Sequence, residues 1–429
     1  MSLILIPKSS RGRNSKLIAA LDIGASKISC IIARRGEEHD GTPFAEIVGV
    51  GHHGSESSVG ARMPLREIEK CLTRAVDAAE RMAGERIHNV IVGVPGPLLR
   101  TRRVGVDIET SGGLVTQDDV DDCLGEGAAI AAADDCHSLH IGPIRSYVDG
   151  EDAFNDPVGL SGHQLSMHML GVAARHSALD NLSSLIERCS LRVDEYVASP
   201  VAAADAVLLE DERDLGVVLI DVGVAMTNYA VFDSGVLMDC GGVRVGGGHI
   251  TRDIAQIFGA PLSEAERIKN LNGAALIGPG DEHREIEFPQ LGVAGESSRA
   301  SRADLCEVII PRMQEIFEMV LHKLPKDDLQ RIGLRRAVIT GGGSSLVGAR
   351  EAAERALGMK TRIGKPISIP GAPEAATAPG FSVCVGLIQN AIKSDINRKS
   401  TLGVTDQSPQ MLTRSAFLSG VETWLRARF

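Results

Sequence analysis

Gly216-Val-Val-Leu-Ile-Asp221-Val-Gly223 is an apolar run that ends in an aspartate, passes one apolar residue and stops at a glycine, after which a run rich in β-branched residues begins. An earlier stretch, Leu17-Ile-Ala-Ala-Leu-Asp22-Ile-Gly24, has the same order. Each reads as strand, tight turn and strand, with a carboxylate at the turn. A glycine after such an Asp lets backbone N–H groups close on an anion with no Cβ in the way, while the carboxylate suits a hydrated divalent cation. One copy alone is more simply a buried strand ending in a solvated turn. Two copies in matching context, nearly half a chain apart, point to a duplicated α/β fold that grips a nucleotide between its halves.

The 429 residues exceed one core and suit two to four domains of ~100 to 200 residues. With 45 Lys and Arg against 56 Asp and Glu, the net charge of −11 argues against general nucleic-acid binding. Eight cysteines are scattered singly, with no CxxC pair and no His spaced as a zinc ligand, so neither a disulfide framework nor a structural metal is signalled and a reducing cytosol is the natural compartment. Residues 1–15 put a brief apolar run before the basic residues, the reverse of a secretory signal, and are expected to be a disordered leader. No apolar run approaches the ~20 residues that cross a bilayer.

Along the chain, a hairpin over 17–33 is followed by a strand at 44–50, a helix over 65–83 with apolar residues at helical spacing, and a strand at 89–94. The second half repeats this order with a hairpin over 217–232, a strand at 236–240, a glycine cluster, helices, and a strand at 336–340 that ends in Gly341-Gly342-Gly343. Two segments stand outside the shared plan. Residues 98–175 read as a small α+β module, with a helix over 117–133 and strands at 101–108, 138–148 and 164–173. Residues 262–333 are mostly helical, with a Gly/Glu/Pro-rich excursion at 278–295 and an amphipathic helix over 305–324. Ser199-Pro200 opens a helix of small residues that permit close packing.

The two hairpins, the triple glycine and the Ala-rich helix after Pro200 resemble the actin-like ATPase superfamily. One branch is resembled closely, the bacterial cell-division FtsA family, through Asn155-Asp-Pro-Val-Gly-Leu-Ser-Gly162, Gly246-Gly-Gly-His-Ile-Thr251, Ser263-Glu-Ala-Glu-Arg-Ile-Lys269 and Glu307-Val-Ile-Ile-Pro-Arg312. The resemblance implies a duplicated actin-like (ribonuclease-H-like) two-lobed fold. Subdomain 1A would hold 16–97, 177–213 and 380–391, and the inserted subdomain 1C would be 98–176. Subdomain 2A would hold 214–261 and 334–379, with the helical subdomain 2B at 262–333. It further implies ATP and Mg2+ between the lobes, with Asp22 and Asp221 approaching the metal from opposite sides. Gly24, Ala25, Ser26, Lys27 and Gly223 would supply phosphate contacts, with Gly246, Gly247 and Gly248 nearby. Glu266 and Lys269 would reach the ribose and base side, and Gly341, Gly342 and Gly343 would pass close to the adenine. On spacing alone, Glu266 and Lys269 are equally an ordinary surface ion pair.

Departures from the family pattern fall on the phosphate turns. The second turn carries Val224, Ala225 and Met226 where glycines are usual, with Thr227 one place late, and the first has Ala25 where a hydroxyl is common. Added Cβ atoms hold the backbone away from a γ-phosphate. Hydrolysis also needs a side chain to orient water, and the position before Pro200 that is often an acid or amide is Ser199. Binding without efficient turnover is the expectation.

Residues 392–413 are polar, without a core period, and are expected to be a flexible linker. On a helix over 414–429, Phe417, Leu418, Val421, Trp424, Leu425 and Phe429 share one face, flanked by Arg414, Arg426 and Arg428. That is the recipe for lying in the headgroups of an anionic bilayer. The same stripe also suits docking on its own domain, and the tether and terminal position favour the membrane. In the FtsA family the resemblance implies polymerisation on the inner membrane face at the division site. The C-terminal peptide of FtsZ would dock on subdomain 2B, with Arg302 and Arg312 as candidate contacts to its acids, and downstream division proteins would meet subdomain 1C. Alternative readings are a pilus-assembly adaptor, which is not expected to carry the basic terminal helix, and a small-molecule kinase on the same fold.

Overall fold

The computed structural model describes residues 4–5, 16–38, 42–54, 64–132, 135–153, 157–292, 297–325 and 333–402. In the first hairpin, 18–21 of Leu17–Ile23 and 28–33 of Lys27–Glu37 are buried without alternation, as strands covered on both faces must be. Pro43–Gly54 completes an antiparallel meander, and Asn89–Val94 and then Arg192–Ala198 add in parallel beside Leu17–Ile23. The second half repeats the plan. Val217–Val222, Thr227–Asp233 and Val236–Val243 form the meander, and Arg336–Thr340 and Lys360–Ile363 follow in parallel. Strand order and sense are the same in both sheets, which is the duplication expressed as topology.

Two helices lie between the sheets. Ser199–Val207 is buried along its whole length, and Ser382–Leu402 crosses it so closely that a Cβ on Gly386 would sit 1.7 Å from the Ala202 carbonyl oxygen. Small residues at 202 and 386 are therefore what allow the lobes to share a core. That core joins Ile18 and Ile31 of the first sheet to Val217, Leu219, Phe232 and Val338 of the second. Outward, helix Leu65–Ala83 covers the first sheet, and Gly51 admits it, since a Cβ there would meet the Ala75 carbonyl oxygen at 1.9 Å. Helices Gly247–Phe258 and Arg302–Leu321 cover the second.

The inserted module builds an antiparallel sheet from Leu99–Glu109, Cys136–Val148 and Gln164–Arg175, with helix Gln117–Ala131 packed on one face. Its root is the turn Gly96–Leu98, directly after Pro95.

Three expectations differ from the fold. The leader is not irregular throughout, because Ile4–Leu5 pairs antiparallel with Ile141 and His140, two apolar residues claiming an open sheet edge. The expected linker begins as helix, because Ser382–Leu402 runs through 392–402. That stretch holds no Gly or Pro, and a polar composition does not stop a helix already nucleated by its buried half. The excursion at 278–295 enters a two-stranded sheet, Glu285–Pro289 with Ser297–Ser301. Its period-2 burial, Ile286 and Phe288 inward, is too short to stand out in sequence. The expected terminal helix at 414–429 lies outside the described residues. Among the described residues no helix is long and apolar enough to cross a membrane.

Candidate functional site

Both hairpin turns close in the same way. The Gly24 N–H donates to the Lys27 carbonyl at 3.1 Å and the Gly223 N–H to the Met226 carbonyl at 3.0 Å. A Cβ would lie 2.7 Å from the Lys27 oxygen in the first turn and 2.8 Å from the Met226 oxygen in the second, so each closing position needs glycine. At the tips, the amides of Ala25, Ser26, Val224 and Ala225 donate to no group among the described residues.

The carboxylates beside these turns lie on facing sides of the junction between the two sheets, near enough for the charge of Asp221 to be felt at Asp22. Burial, and then the negative charge of Asp221, push Asp22 up to about 6, with Lys27 opposing. Burial also raises Asp221, partly offset by the Asn228 amide, which donates to its Oδ2 at 2.8 Å. Lys27 reaches across the crevice. Its Nζ donates to the Gly380 carbonyl at 3.1 Å and lies 3.7 Å from the centre of the Phe381 ring, against whose face or edge His52 packs at 5.6 Å. Burial lowers the Lys27 pKa against the pull of Asp22.

The glycine clusters take different positions around this centre. Gly341 has φ of 81° and lies so close to the acid that a Cβ would come 2.2 Å from Asp221 Oδ1. Gly343 presses on Val222, whereas Gly342 faces open space. Gly246, Gly247 and Gly248 brace the second turn from behind. The Gly247 N–H donates to the Gly223 carbonyl and the Gly248 N–H to the Val224 carbonyl, both at 2.9 Å, so these donors are already used. A Cβ on Gly246 would fall 2.3 Å from the Gly223 oxygen.

Glu266 and Lys269 are not a surface pair. Lys269 Nζ, buried, donates to Glu266 Oε2 at 2.6 Å, to Thr251 Oγ1 at 2.8 Å and to the Gly247 carbonyl at 3.3 Å. The Thr251 hydroxyl donates to the same Glu266 oxygen. The pair therefore fastens helix Leu262–Asn272 to the start of Gly247–Phe258, the helix that braces the second turn.

Arg302 and Arg312 are also engaged within the chain. Arg302 donates to the Asn272 carbonyl at 2.8 Å and to both oxygens of the buried Asp281 at 2.5 Å. Arg312 pairs with Asp253 at 2.6 Å and with Glu315. Ser199 is buried at the head of its helix, beside Gly93. Thr227, buried, donates its hydroxyl to the Val245 carbonyl at 2.8 Å, just past the end of Val236–Val243.

Asn228 escaped the sequence reading. It stands directly across the ladder from Asp221, and a tight turn after Gly223 fixes that register, so counting back along the hairpin would have found it.

Comparison with known proteins follows this geometry. The Cell division protein FtsA family is matched over residues 218–386, and the SHS2 domain inserted in FTSA over residues 98–173. Cell division protein FtsA of Agrobacterium fabrum (strain C58) is 33% identical over 408 residues, covering 93% of this chain and 92% of that protein. The Escherichia coli (strain K12) protein of the same name is 29% identical over 429 residues, covering 98% and 100%. Among solved structures, the PilM-PilN type IV pilus biogenesis complex superposes with a TM-score of 0.57 at 16% identity, covering 87% of this chain and 98% of that one. MreB 5 of Spiroplasma citri bound to AMPPNP gives 0.51 at 13% identity, covering 91% and 100%. At such identities these likenesses speak for the fold alone, which is that of the actin-like ATPases. By sequence over nearly its full length, the chain belongs to the FtsA family of cell-division proteins.

Proposed function

We propose that the crevice holds ATP with Mg2+ and that the chain is a nucleotide-binding adaptor rather than an efficient enzyme. The observation that carries this reading is the approach of Asp22 and Asp221, from opposite lobes, with Lys27 the cation that bears on Asp22. Two buried carboxylates against a single lysine leave a site short of positive charge. A divalent cation held by Asp22 and Asp221 supplies that charge and neutralises phosphates beside it. The unclaimed amides of Ala25, Ser26, Val224 and Ala225 are donors for phosphate oxygens. Lys27 would exchange Gly380 for a phosphate. Gly246 to Gly248 would shape the second turn without donating to the ligand, and Gly341 to Gly343 would let the adenine approach the backbone. With its side chain 28% exposed against 9% for Lys269, Glu266 is the member of that pair to meet a ribose hydroxyl. Ser199 is no acid and the Thr227 hydroxyl is spent on the Val245 carbonyl, so neither orients an in-line water and turnover should be slow.

Around this crevice we place the family's division role. Copies of the chain would polymerise at the cytoplasmic face of the inner membrane, held by residues 414–429. The helical subdomain at 262–333 would take the FtsZ C-terminal peptide, and the inserted module would meet downstream division proteins. Of the two arginines first considered for the peptide, Arg302 is committed to the buried Asp281, and at Arg312 a peptide acid would compete with Asp253.

Calorimetric titration of MgATP into the full chain and into an Asp22→Asn, Asp221→Asn double variant tests the crevice. Binding by the parent and none by the variant is expected, and equal binding would refute the reading. Sedimentation with anionic vesicles, before and after removal of 414–429, tests the tether.

A further inference from the structure

The root of the inserted module is joined to the crevice through one buried side chain. Asn228 donates from Nδ2 to Asp221 Oδ2 at 2.8 Å and accepts at Oδ1 from the Gly96 N–H, also at 2.8 Å. Each polar end is used, and the two contacts leave a single sensible orientation of the amide. Gly96 has little freedom. A Cβ on it would lie 2.0 Å from the Gly241 carbonyl oxygen, and a Cβ on Gly242 would lie 2.6 Å from Pro97 Cδ. Asp221, Asn228 and Gly242 occupy consecutive places across the ladder, so the contact runs straight across the sheet from the acid to the module's root. The module also leans on this strand, Arg103 donating to the Met238 carbonyl at 3.3 Å.

The first lobe carries no such connection. Asp22 stands opposite Ser29, whose buried hydroxyl finds no partner among the described residues. The asymmetry marks Asn228 as an addition to the shared plan, since the plan closes without it.

We propose that Asn228 is a positioning residue that couples occupancy of the crevice to the seating of the inserted module. This rests on the nucleotide reading above. When Asp221 turns toward a cation, its Oδ2 either carries the Asn228 amide with it or releases it. In both cases the Gly96 N–H feels the change, because Gly96 is wedged against Gly241 and has no room to follow. The coupling is reciprocal, so a partner that grips the module would alter nucleotide affinity.

Hydrogen exchange at residues 95–104 of the full chain, with and without MgATP, measures this. In the parent, MgATP should change exchange at the root by about fivefold or more, the lower end of usual coupling. In Asn228→Ala, which also loosens Asp221 and so is measured at MgATP concentrations that still saturate it, the change should vanish. If the alanine variant does not fold, as a circular dichroism melt would reveal, Asn228→Thr decides. It suits a strand, and its shorter side chain cannot span from Asp221 to the Gly96 N–H, so the root should ignore MgATP. A parent that binds MgATP without a response at the root overturns the proposal, as does a folded variant that responds like the parent. A parent that binds no MgATP overturns the nucleotide reading itself, and the coupling with it.

Discussion

The two acidic hairpins share a turn and a topology but differ in what holds the acid. Asp221 is fixed on three sides, by Asn228, by Gly341 laid against its Oδ1, and by a turn braced from helix Gly247–Phe258. Asp22 has a silent Ser29 opposite it, and its neighbour Lys27 reaches to Gly380, which lies beside Gly342 of the other lobe. The second lobe reads as a preorganised seat, and the first as the part that closes on it. Duplication supplied the same frame twice, and the side chains across the ladder from each acid divided the labour.

Crowding the seat should have the largest effect. A side chain at Gly341 must tolerate φ of 81° and displace Asp221 Oδ1. Gly341→Val should cost about 3 to 5 kcal/mol of stability, from left-handed strain plus overpacking, and abolish MgATP binding. Gly342→Ala, facing open space, should leave stability unchanged and weaken MgATP binding only as far as its Cβ meets the adenine. Thermal melting with and without MgATP reads both, and an indifferent Gly341→Val would undo the idea of a rigid seat.

Next comes the acid of the closing side. Asp22 titrates at about 6 in the fold against 3.8 unfolded, so the stability present below about pH 4 is lost as pH rises through 6. Asp22→Asn removes that loss, and above pH 7 it should stabilise the nucleotide-free chain by up to about 3 kcal/mol while weakening cation binding. Asp221→Asn should gain less, because Asn228 already offsets part of the burial. Denaturant melts at pH 5 and pH 8 without nucleotide compare the two, and equal gains would erase the distinction between the lobes.

Lys27 and Met226 occupy matching ends of the two turns. Lys27→Met should cost about 1 to 2 kcal/mol, through the lost carbonyl and aromatic contacts, and move the Asp22 transition further upward, since Lys27 is what holds it down. Met226→Lys would add a second cation beside the acids and should lower that transition. A pH series of melting curves shows either shift.

What was legible in the sequence follows from range. The strand and turn that carry Asp22 and Asp221 are each written within eight residues, and their repetition carried the architecture to the lobes. The role of Gly246 to Gly248 was not legible, because three glycines before a helix look the same whether their amides meet a ligand or, as here, the carbonyls of Gly223 and Val224. That Lys269 is buried against Thr251 and Gly247 was not legible either, because spacing leaves it a nucleotide contact or a surface charge, and burial is decided by a helix whose packing its own spacing does not specify. The latch from Lys27 to Gly380 joins positions at opposite ends of the chain, and no local pattern announces such a contact.

Thr227 gives the smallest effect and the sharpest separation between sequence and space. One place earlier, its hydroxyl would sit on the turn among the phosphate donors. At its actual position strand alternation turns it inward, where it donates to Val245, past the end of Val236–Val243, at 2.8 Å and is fully buried. Thr227→Val keeps the shape and removes that hydrogen bond, so it should cost about 1 kcal/mol and leave MgATP affinity unchanged. A loss of affinity with stability intact would mean that the hydroxyl reaches the ligand after all, and that the second turn rearranges on binding instead of serving as the fixed side of the crevice.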